Sequence, residues 1–244
     1  MVRPFLSVII PAYNEAERLP LTLIDIDKHL SEQDFSYEIL VINDGSTDAT
    51  AEIVGRFMPI IKNLKLINNT DNRGKGSVTK IGMLAAKGNW RLTLDADNTI
   101  SIIEFIKAMP MFAPANAYDI VIASRGVKGA FFQPRLPLGR RLAEAVVNLF
   151  NNLLLRLQIK DSILGFYCLS AEAAERIFPL TRIEGWGFSQ EVLALARRLG
   201  LKLKEIPVTG AHMDGSHFRF RYYLQICWET IKIRWWLTTK QYNF

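Results

Sequence analysis

Two carboxylates separated by one small residue, in the sequence Asp95-Ala96-Asp97, come directly after the apolar segment 90–94. Acids held this close repel each other unless a cation lies between them. Carboxylate oxygens are hard donors, which Mg²⁺ and Mn²⁺ prefer. Acids are also common in turns, and an isolated pair of this kind is more often a polar turn that ends a strand. The pair therefore predicts a divalent-metal site only if the rest of the chain supports one.

A third acid, Asp44, follows another apolar segment. Its carboxylate could accept hydrogen bonds from a nucleobase or ribose, and the alternative is that Asp44 or Ser46 caps the next helix. Segment 73–76 opens a predicted helix, where backbone N–H groups could cradle a phosphate beside the charges of Arg73 and Lys75. This segment is neither a P-loop nor a Gly-x-Gly-x-x-Gly motif. Both features are consistent with a nucleotide or phosphate ligand.

A loop with two histidines, His212 and His217 around Asp214, lacks the nearby cysteines and the spacing of a zinc site. We expect it instead to contact a substrate phosphate through its histidines and backbone groups. Arg140 and Arg141 lie at the start of a predicted helix, where a cation is unfavourable beside the helix dipole. A solvated helix end is the ordinary alternative, but this placement favours a bound anion.

The elements that would position these residues alternate between strand and helix. Strands are predicted at residues 5–10, 37–42, 64–67, 90–94, 118–123 and 201–208. Segments with helical spacing separate the first four, and this alternation is typical of α/β proteins with a mostly parallel sheet. Ligands of such sheets bind at the carboxyl ends of the strands. Asp44 and the Asp95–Asp97 pair each end a strand, so we expect them at the same edge of the sheet.

The second half of the chain carries two amphipathic helices. Residues 126–137 are predicted to form an irregular loop, and the long helix that follows has an apolar face with Leu142, Leu149 and Leu153. The C-terminal segment has an apolar stripe at helical spacing, formed by Leu224, Cys227, Trp228, Ile231 and Trp235. This C-terminal helix is predicted either to dock on the core or to lie in the interface of an anionic membrane.

Composition limits the class of protein. The chain has 244 residues, 49% of them hydrophobic, which suits one large domain or two small ones and argues against disorder. Its two cysteines give no disulfide framework. We expect no signal peptide, because the first residues lack its pattern, and no transmembrane helix, because no apolar stretch reaches about 18 residues.

The net charge of +6 is concentrated in two segments. Residues 128–160 carry six Lys and Arg against one acid, and residues 217–244 carry five against one. The remainder of the chain is slightly acidic. This distribution predicts an anionic partner for the second half, such as a membrane surface, a phosphate or nucleic acid.

Four segments together resemble a known family: 8–15, 41–48, 72–76 and 94–97. In their order and spacing they are similar to the family-two glycosyltransferases with the GT-A fold. Within that family the chain resembles the polyprenyl-phosphate sugar transferases, including the dolichyl-phosphate glucosyltransferases and mannose synthases. The resemblance covers about residues 5–217. It implies a GT-A catalytic domain over 1–217, with a Rossmann-like sheet flanked by helices, followed by an amphipathic helix in 218–244.

The resemblance also implies roles for individual residues. The nucleotide sugar would contact Pro11, Tyr13, Glu15, Asp44, Arg73, Lys75, Asp95 and Ala96. Asp95 and Asp97 would hold Mg²⁺ or Mn²⁺ on the diphosphate. Phosphate and acceptor contacts would come from Ser124, Arg125, Arg140 or Arg141, His212, Ser216 and His217. The mannose synthases have Leu-Gln after the paired acids, but Asn98-Thr99 stand here, so the resemblance assigns no third metal ligand.

The expected reaction is transfer of a hexose, with inversion, from a UDP-glucose or GDP-mannose type donor to dolichyl or undecaprenyl phosphate. The enzyme would be peripheral on the cytoplasmic face of a cell membrane or the endoplasmic reticulum. This placement is compatible with a membrane-protein partner, and we expect no nucleic-acid partner. One alternative is a soluble protein or glycan acceptor, which would need a general base, and Glu191 is the candidate. Another is a non-catalytic nucleotide-binding protein.

Overall fold

The computed structural model describes residues 3–112, 118–134, 136–211 and 219–243. Its strands are β1 Leu6–Ala12, β2 Tyr37–Asp44, β3 Leu64–Asn69, β4 Trp90–Thr93, β5 Ile120–Ser124, β6 Phe131–Gln133, β7 Tyr167–Ser170, β8 Leu203–Pro207 and β9 Thr209–Ala211. Its helices are α1 Leu19–Leu30, α2 Thr50–Phe57, α3 Lys75–Ala85, α4 Ile103–Ala108, α5 Leu138–Leu155, α6 Ala171–Ile177, α7 Phe188–Arg198 and α8 Arg221–Thr238. The predicted contacts at His212, Ser216 and His217 lie outside the described residues.

The central sheet has seven strands in the order β3-β2-β1-β4-β7-β5-β8. β1 is parallel to β2 and to β4, and β5 is parallel to β8, whereas β7 runs antiparallel to β4 and β5. The strand order reverses between β1 and β4, which is where ligands of such sheets bind. The prediction of an α/β fold with a mostly parallel sheet flanked by helices is confirmed.

Strand β1 shows why the sheet is covered on both faces. Val8 and Ile10 belong to the apolar cluster that contains α1, while Ile9 belongs to the opposite cluster with α3. All three side chains are fully buried. A strand that is buried on both faces has a continuous run of apolar residues in its sequence, and this pattern identified β1.

One segment differs from its prediction. Residues 126–137 are not irregular throughout, because β6 pairs in parallel with β9 in a separate two-stranded sheet. This pairing is distant in sequence, so local composition gives no sign of it. Helix α4 is followed directly by a 3-10 turn over Met109–Phe112.

Helices α5 and α8 pack against each other through a partly polar interface. The Thr230 hydroxyl donates to Asn151 Oδ1 at 2.9 Å, and both residues are fully buried. The Tyr223 hydroxyl donates to Glu144 Oε1 at 3.1 Å. The C-terminal helix therefore docks on the rest of the protein, which is one of the two predicted alternatives.

The apolar stripes predicted for these two helices are exposed on their outer faces, except Cys227, which packs against the cluster of Val147, Tyr223 and Ile226. The exposed large apolar residues on or next to the two helices are Leu138, Leu142, Val146, Leu149, Leu153, Phe220, Leu224, Trp228, Ile231 and Trp235. We call this set the outer apolar surface. No helix among the described residues combines the length and the hydropathy needed to cross a membrane.

Candidate active site

A cavity of about 730 Å³ opens at the carboxyl edge of the central sheet. Residues that follow β1, β2, β4 and β5 line it, together with residues of α5 and the start of α8. Its charged side chains are six basic residues and five acids: Arg18, Lys75, Arg125, Arg140, Arg219 and Arg221, with Glu15, Asp44, Asp95, Asp97 and Glu144. The volume is that of a small-molecule site, and the mixed charge suits a phosphorylated ligand with a cation. We call it the first cavity.

The paired acids leave the end of β4 and both line the first cavity. Ala96 and Asp97 form a turn just after β4. Ala96 packs in the apolar core, and its carbonyl accepts a hydrogen bond from the Thr22 hydroxyl at 2.7 Å. This bond ties the turn that carries the two acids to helix α1.

Basic side chains of the same cavity approach both acids. Lys75 Nζ lies 2.6 Å from Asp95 Oδ1. Arg18 NH1 lies 3.8 Å from Asp97 Oδ2, while the rest of that guanidinium is bound by Glu15. A solvated polar turn needs no such counter-charges. The pair is thus part of a charged cavity, and its role as a metal site stays a prediction.

The donor set fits a hard divalent cation. Asp95 and Asp97 offer carboxylate oxygens, and Gly165 backs Asp95 so closely that an added Cβ would lie 2.8 Å from Oδ1. Mg²⁺ is commonly held by one or two carboxylates, waters and substrate phosphates. In the described part of the chain no group of three or more His, Cys, Asp or Glu residues could hold a metal. The residues present therefore suit an ion that arrives with a phosphorylated ligand.

Replacing Gly165 by alanine should weaken Mn²⁺ binding by about tenfold or more, as changes around metal ligands commonly do. The added methyl group would lie 2.8 and 2.9 Å from the two Asp95 carboxylate oxygens and would force that side chain to turn. Calorimetric titration with Mn²⁺ and a nucleoside diphosphate measures the effect. Gly139→Ala in α5 is the control, because its added Cβ meets nothing within 4 Å. Equal Mn²⁺ affinity in both variants would contradict the prediction.

Asp44 organises the neighbouring loop. Its two carboxylate oxygens accept hydrogen bonds from the backbone N–H groups of Arg73 and Gly74, each at 2.9 Å. Gly74 has a φ of 94°, a conformation that favours glycine. These bonds hold the chain in a loop up to Lys75, where α3 begins, inside the segment 73–76 that was predicted to open this helix. Helix α2 has no side-chain cap, so the alternative that Asp44 or Ser46 caps it is wrong.

Arg125 is the centre of a buried ion-pair network. Its Nε donates to Asp161 Oδ2 at 2.7 Å, and its NH1 lies 2.9 Å from Glu144 Oε2. Glu144 also receives the Tyr223 hydroxyl and lies 3.4 Å from Arg140 Nε. Burial alone would raise the pKa of Asp161, but the Arg125 charge and hydrogen bonds outweigh it, and the pKa lies below its usual value. Burial and the Glu144 charge raise the pKa of Tyr223 to about 12.

Most of the predicted site residues share the first cavity. Those that line it are Pro11, Tyr13, Glu15, Asp44, Lys75, Asp95, Ala96, Asp97, Arg125 and Arg140. Glu191 and three others do not: the Arg73 side chain is exposed, Arg141 lines a second cavity, and Ser124 is buried and accepts a hydrogen bond from the Gly126 N–H. The structure thus separates Arg140 from Arg141, which the sequence left as alternatives.

Glu191 lies away from the first cavity, and its position contradicts the predicted role of general base. It is fully buried in α7, and its carboxylate accepts hydrogen bonds from the backbone N–H groups of Arg182 and Ile183 and from the Tyr242 hydroxyl. Burial raises its pKa above the usual value. The carboxylate fixes the loop before α7 and does not meet a substrate.

Sequence reasoning assigned no role to several residues of the first cavity. Trp186 lies with its ring centroid 5.2 Å from Lys75 Nζ. Arg219 and Arg221 reach the cavity from the start of α8, so the basic C-terminal segment contributes to the site itself. Its local excess of positive charge was the only signal in the sequence. Arg18 also lines the cavity, and no motif of the sequence marked it.

Comparison with known proteins identifies the family. Residues 7–178 match the glycosyl transferase family 2 domain. The protein named dolichyl-phosphate beta-glucosyltransferase from Dictyostelium discoideum is 34% identical over 242 residues, covering 94% of this chain and 74% of that protein. The protein of that name from Saccharomyces cerevisiae is 32% identical over 235 residues, covering 87% of this chain and 68% of that protein.

Solved structures agree on the fold. Glucosyl-3-phosphoglycerate synthase from Mycobacterium tuberculosis, in complex with Mn²⁺, UDP and glucosyl-3-phosphoglycerate, superposes with a TM-score of 0.68 at 19% identity, covering 94% of this chain and 78% of that one. A complex of that enzyme with Mg²⁺ and UDP gives the same TM-score at 18% identity and the same coverage. The predicted GT-A fold is confirmed, and so is the resemblance stated from the four motifs. The chain belongs to glycosyl transferase family 2 and is a glycosyltransferase.

Proposed function

We propose that this enzyme transfers glucose from UDP-glucose to a polyprenyl phosphate of the dolichyl type, with inversion, at a membrane surface. The observation that carries the proposal is the first cavity, where the paired acids and the arginines of one network face the same space. We infer the sugar and the acceptor from the relatives named dolichyl-phosphate beta-glucosyltransferase. We infer the uracil base of the donor from the UDP bound in the neighbouring structures.

The donor would lie across the carboxyl ends of β1, β2 and β4. Tyr13 is partly exposed at the cavity and can contact the base, while Asp44 keeps free lone pairs for the ribose after binding the backbone of the 73–74 loop. Asp95 and Asp97 would hold Mg²⁺ or Mn²⁺, which supplies charge neutralisation to the leaving diphosphate. Lys75 lies beside Asp95 and would neutralise the same group.

The acceptor phosphate would bind at the opposite side of the first cavity, near Arg125 and Arg140. One of its oxygens attacks the anomeric carbon, a new carbon–oxygen bond forms, and the bond to the diphosphate breaks to release UDP. A phosphate monoester has a second pKa of about 6, so this nucleophile is already anionic at neutral pH and needs no base. The absence of Glu191 from the cavity is consistent with such an acceptor.

The outer apolar surface supports binding to a membrane. Ten large apolar side chains are exposed on or next to two adjacent helices. Monomeric soluble proteins rarely expose large apolar patches, and the chain carries its excess of basic residues in the same two segments. We propose that both helices, and not the C-terminal helix alone, lie in the interface of an anionic membrane. The enzyme would be peripheral on a cytoplasmic face.

Replacing Leu142 and Trp228 together by glutamate should weaken binding to anionic vesicles by about a hundredfold. Each large apolar side chain contributes about 1.5–3 kcal/mol when buried, which is about tenfold or more in affinity. Vesicle co-sedimentation at several lipid concentrations measures it. Ile60→Glu is the control, since Ile60 is exposed and lies outside the outer apolar surface. Unchanged vesicle binding by the double variant would rule out this surface as the membrane contact.

The proposed reaction is tested with the full chain, radiolabelled UDP-glucose and dolichyl phosphate in mixed micelles containing Mg²⁺ or Mn²⁺. We expect label in the lipid fraction, loss of transfer with a chelator, and little transfer from GDP-mannose. Thermal shifts with UDP and GDP in the presence of Mn²⁺ give an independent measure of base preference. Transfer to soluble acceptors but to no polyprenyl phosphate would overturn the proposal.

A further inference from the structure

A second cavity of about 650 Å³ lies on the side of α5 next to the 126–136 segment. Part of its wall is apolar, formed by Ala130, Phe132, Leu136, Ala145 and Leu149. Leu149 also belongs to the outer apolar surface. The second cavity is therefore continuous with the surface that we place against the membrane.

The second cavity also carries unpaired positive charge. Arg141 and Lys160 both line it and are exposed. Among the described residues, no acidic side chain lies within ion-pair distance of either one. Its two acids, Glu144 and Asp161, are already paired with Arg125. An apolar wall beside two unpaired cations is complementary to a molecule with an apolar chain and an anionic end.

Two residues connect the second cavity to the first. Arg125 and Glu144 line both cavities, and the ion pair between them at 2.9 Å stands at the boundary. Arg140 and Arg141 lie on opposite sides of this boundary, since the first lines one cavity and the second lines the other. A ligand in the second cavity can therefore present its anionic end to Arg125.

We infer that the second cavity binds the phosphate-proximal isoprenoid units of the acceptor, with Arg141 and Lys160 contacting its phosphate on the way to Arg125. This inference rests on the proposed polyprenyl phosphate acceptor. It adds a separate entry route, so that the lipid reaches the reaction from the side of α5 while the nucleotide sugar occupies the first cavity. Donor and acceptor then bind without competing for one opening.

The test measures binding without turnover, by calorimetric titration of the full chain with farnesyl phosphate and with farnesol in the absence of a sugar donor. Ala145→Phe fills the second cavity from an exposed helical position and should weaken both ligands at least about tenfold. Arg141→Gln replaces the charged guanidinium by a neutral amide and should weaken farnesyl phosphate about tenfold while leaving farnesol unchanged. Gly139→Phe adds the same side chain on α5 at a position where an added Cβ meets nothing within 4 Å, and serves as the control.

Each outcome has a defined meaning. Weaker farnesyl phosphate binding by Ala145→Phe with normal UDP binding supports the second cavity as the isoprenoid site. Wild-type affinity in Ala145→Phe, or no binding of farnesyl phosphate by the wild-type protein, overturns it. Transfer assays with the wild-type protein report separately on the proposed function. Specific farnesyl phosphate binding without glucose transfer would reject the reaction and retain the prenyl phosphate site.

Discussion

Asp97→Asn should lower glucose transfer to dolichyl phosphate by about a thousandfold while the protein stays folded. Removing one group that stabilises a developing anion typically costs about 10²–10³ in rate. Asp97 would act indirectly, because its carboxylate and that of Asp95 are proposed to hold the divalent cation that neutralises the diphosphate leaving group. The substitution removes the carboxylate charge near Arg18, but Glu15 still binds the Arg18 guanidinium.

The measurement is single-turnover transfer with saturating UDP-glucose, combined with thermal unfolding of the variant. Asp34→Asn is a matched control, because Asp34 is an exposed acid outside the first cavity. We expect Asp34→Asn to retain wild-type rate and Asp97→Asn to retain wild-type unfolding temperature. A transfer rate within threefold of wild type in Asp97→Asn would refute the role assigned to the paired acids.

Arg125→Met should abolish transfer and also destabilise the protein by about 3–5 kcal/mol, the usual cost of removing one partner of a buried ion pair. The reason is the buried Asp161. Its carboxylate oxygens accept hydrogen bonds from Nε and NH2 of Arg125, at 2.7 and 3.1 Å. Without Arg125 that carboxylate stays buried and loses its counter-charge. Urea unfolding and the transfer assay together measure the two effects.

A compensating variant separates stability from chemistry. Adding Asp161→Asn to Arg125→Met removes the unpaired charge, so most of the lost stability should return while transfer stays absent. If transfer returns with stability, Arg125 is only structural and its proposed phosphate contact is wrong.

The pH dependence gives a further check on the same pair. The folded pKa of Asp161 lies below its usual value of about 3.9, so the pair stabilises the protein above that value. This contribution is lost as the pH falls through the folded pKa. The stability difference between wild type and the Arg125→Met, Asp161→Asn double variant should accordingly shrink towards acid pH.

The sheet and the donor side of the first cavity were predictable because their signals are local. Strands β1, β2 and β4 lie in short apolar runs, and Asp44 and the Asp95–Asp97 pair come at the ends of two of them. Strands that end at a common edge bring these residues together whatever the details of the helices. The resemblance to a known family then gave the reaction class, and the matched domain confirms it.

The features that sequence reasoning predicted wrongly or missed depend on contacts between residues distant in sequence. Glu191 has the residue type of a base, but its burial in α7 and its bond to Tyr242 follow from packing that no local pattern reveals. The pairing of β6 with β9 is likewise long-range. The apolar stripes of α5 and α8 were visible in the sequence, yet hydrophobic spacing alone cannot tell a core-facing stripe from a membrane-facing one.

The α5–α8 pair reverses the usual rule for which positions of a helix tolerate substitution. Its inner contacts include Asn151 with Thr230 and Glu144 with Tyr223, where geometry and hydrogen bonding leave little freedom. If the proposed membrane contact is right, its outer residues need only remain apolar, so Leu, Ile, Val, Phe and Trp should be interchangeable there. A saturation-mutagenesis survey of these two helices would then show the inner polar positions to be as invariant as the buried Val147 and Ile226, and the outer apolar positions to be variable among apolar residues.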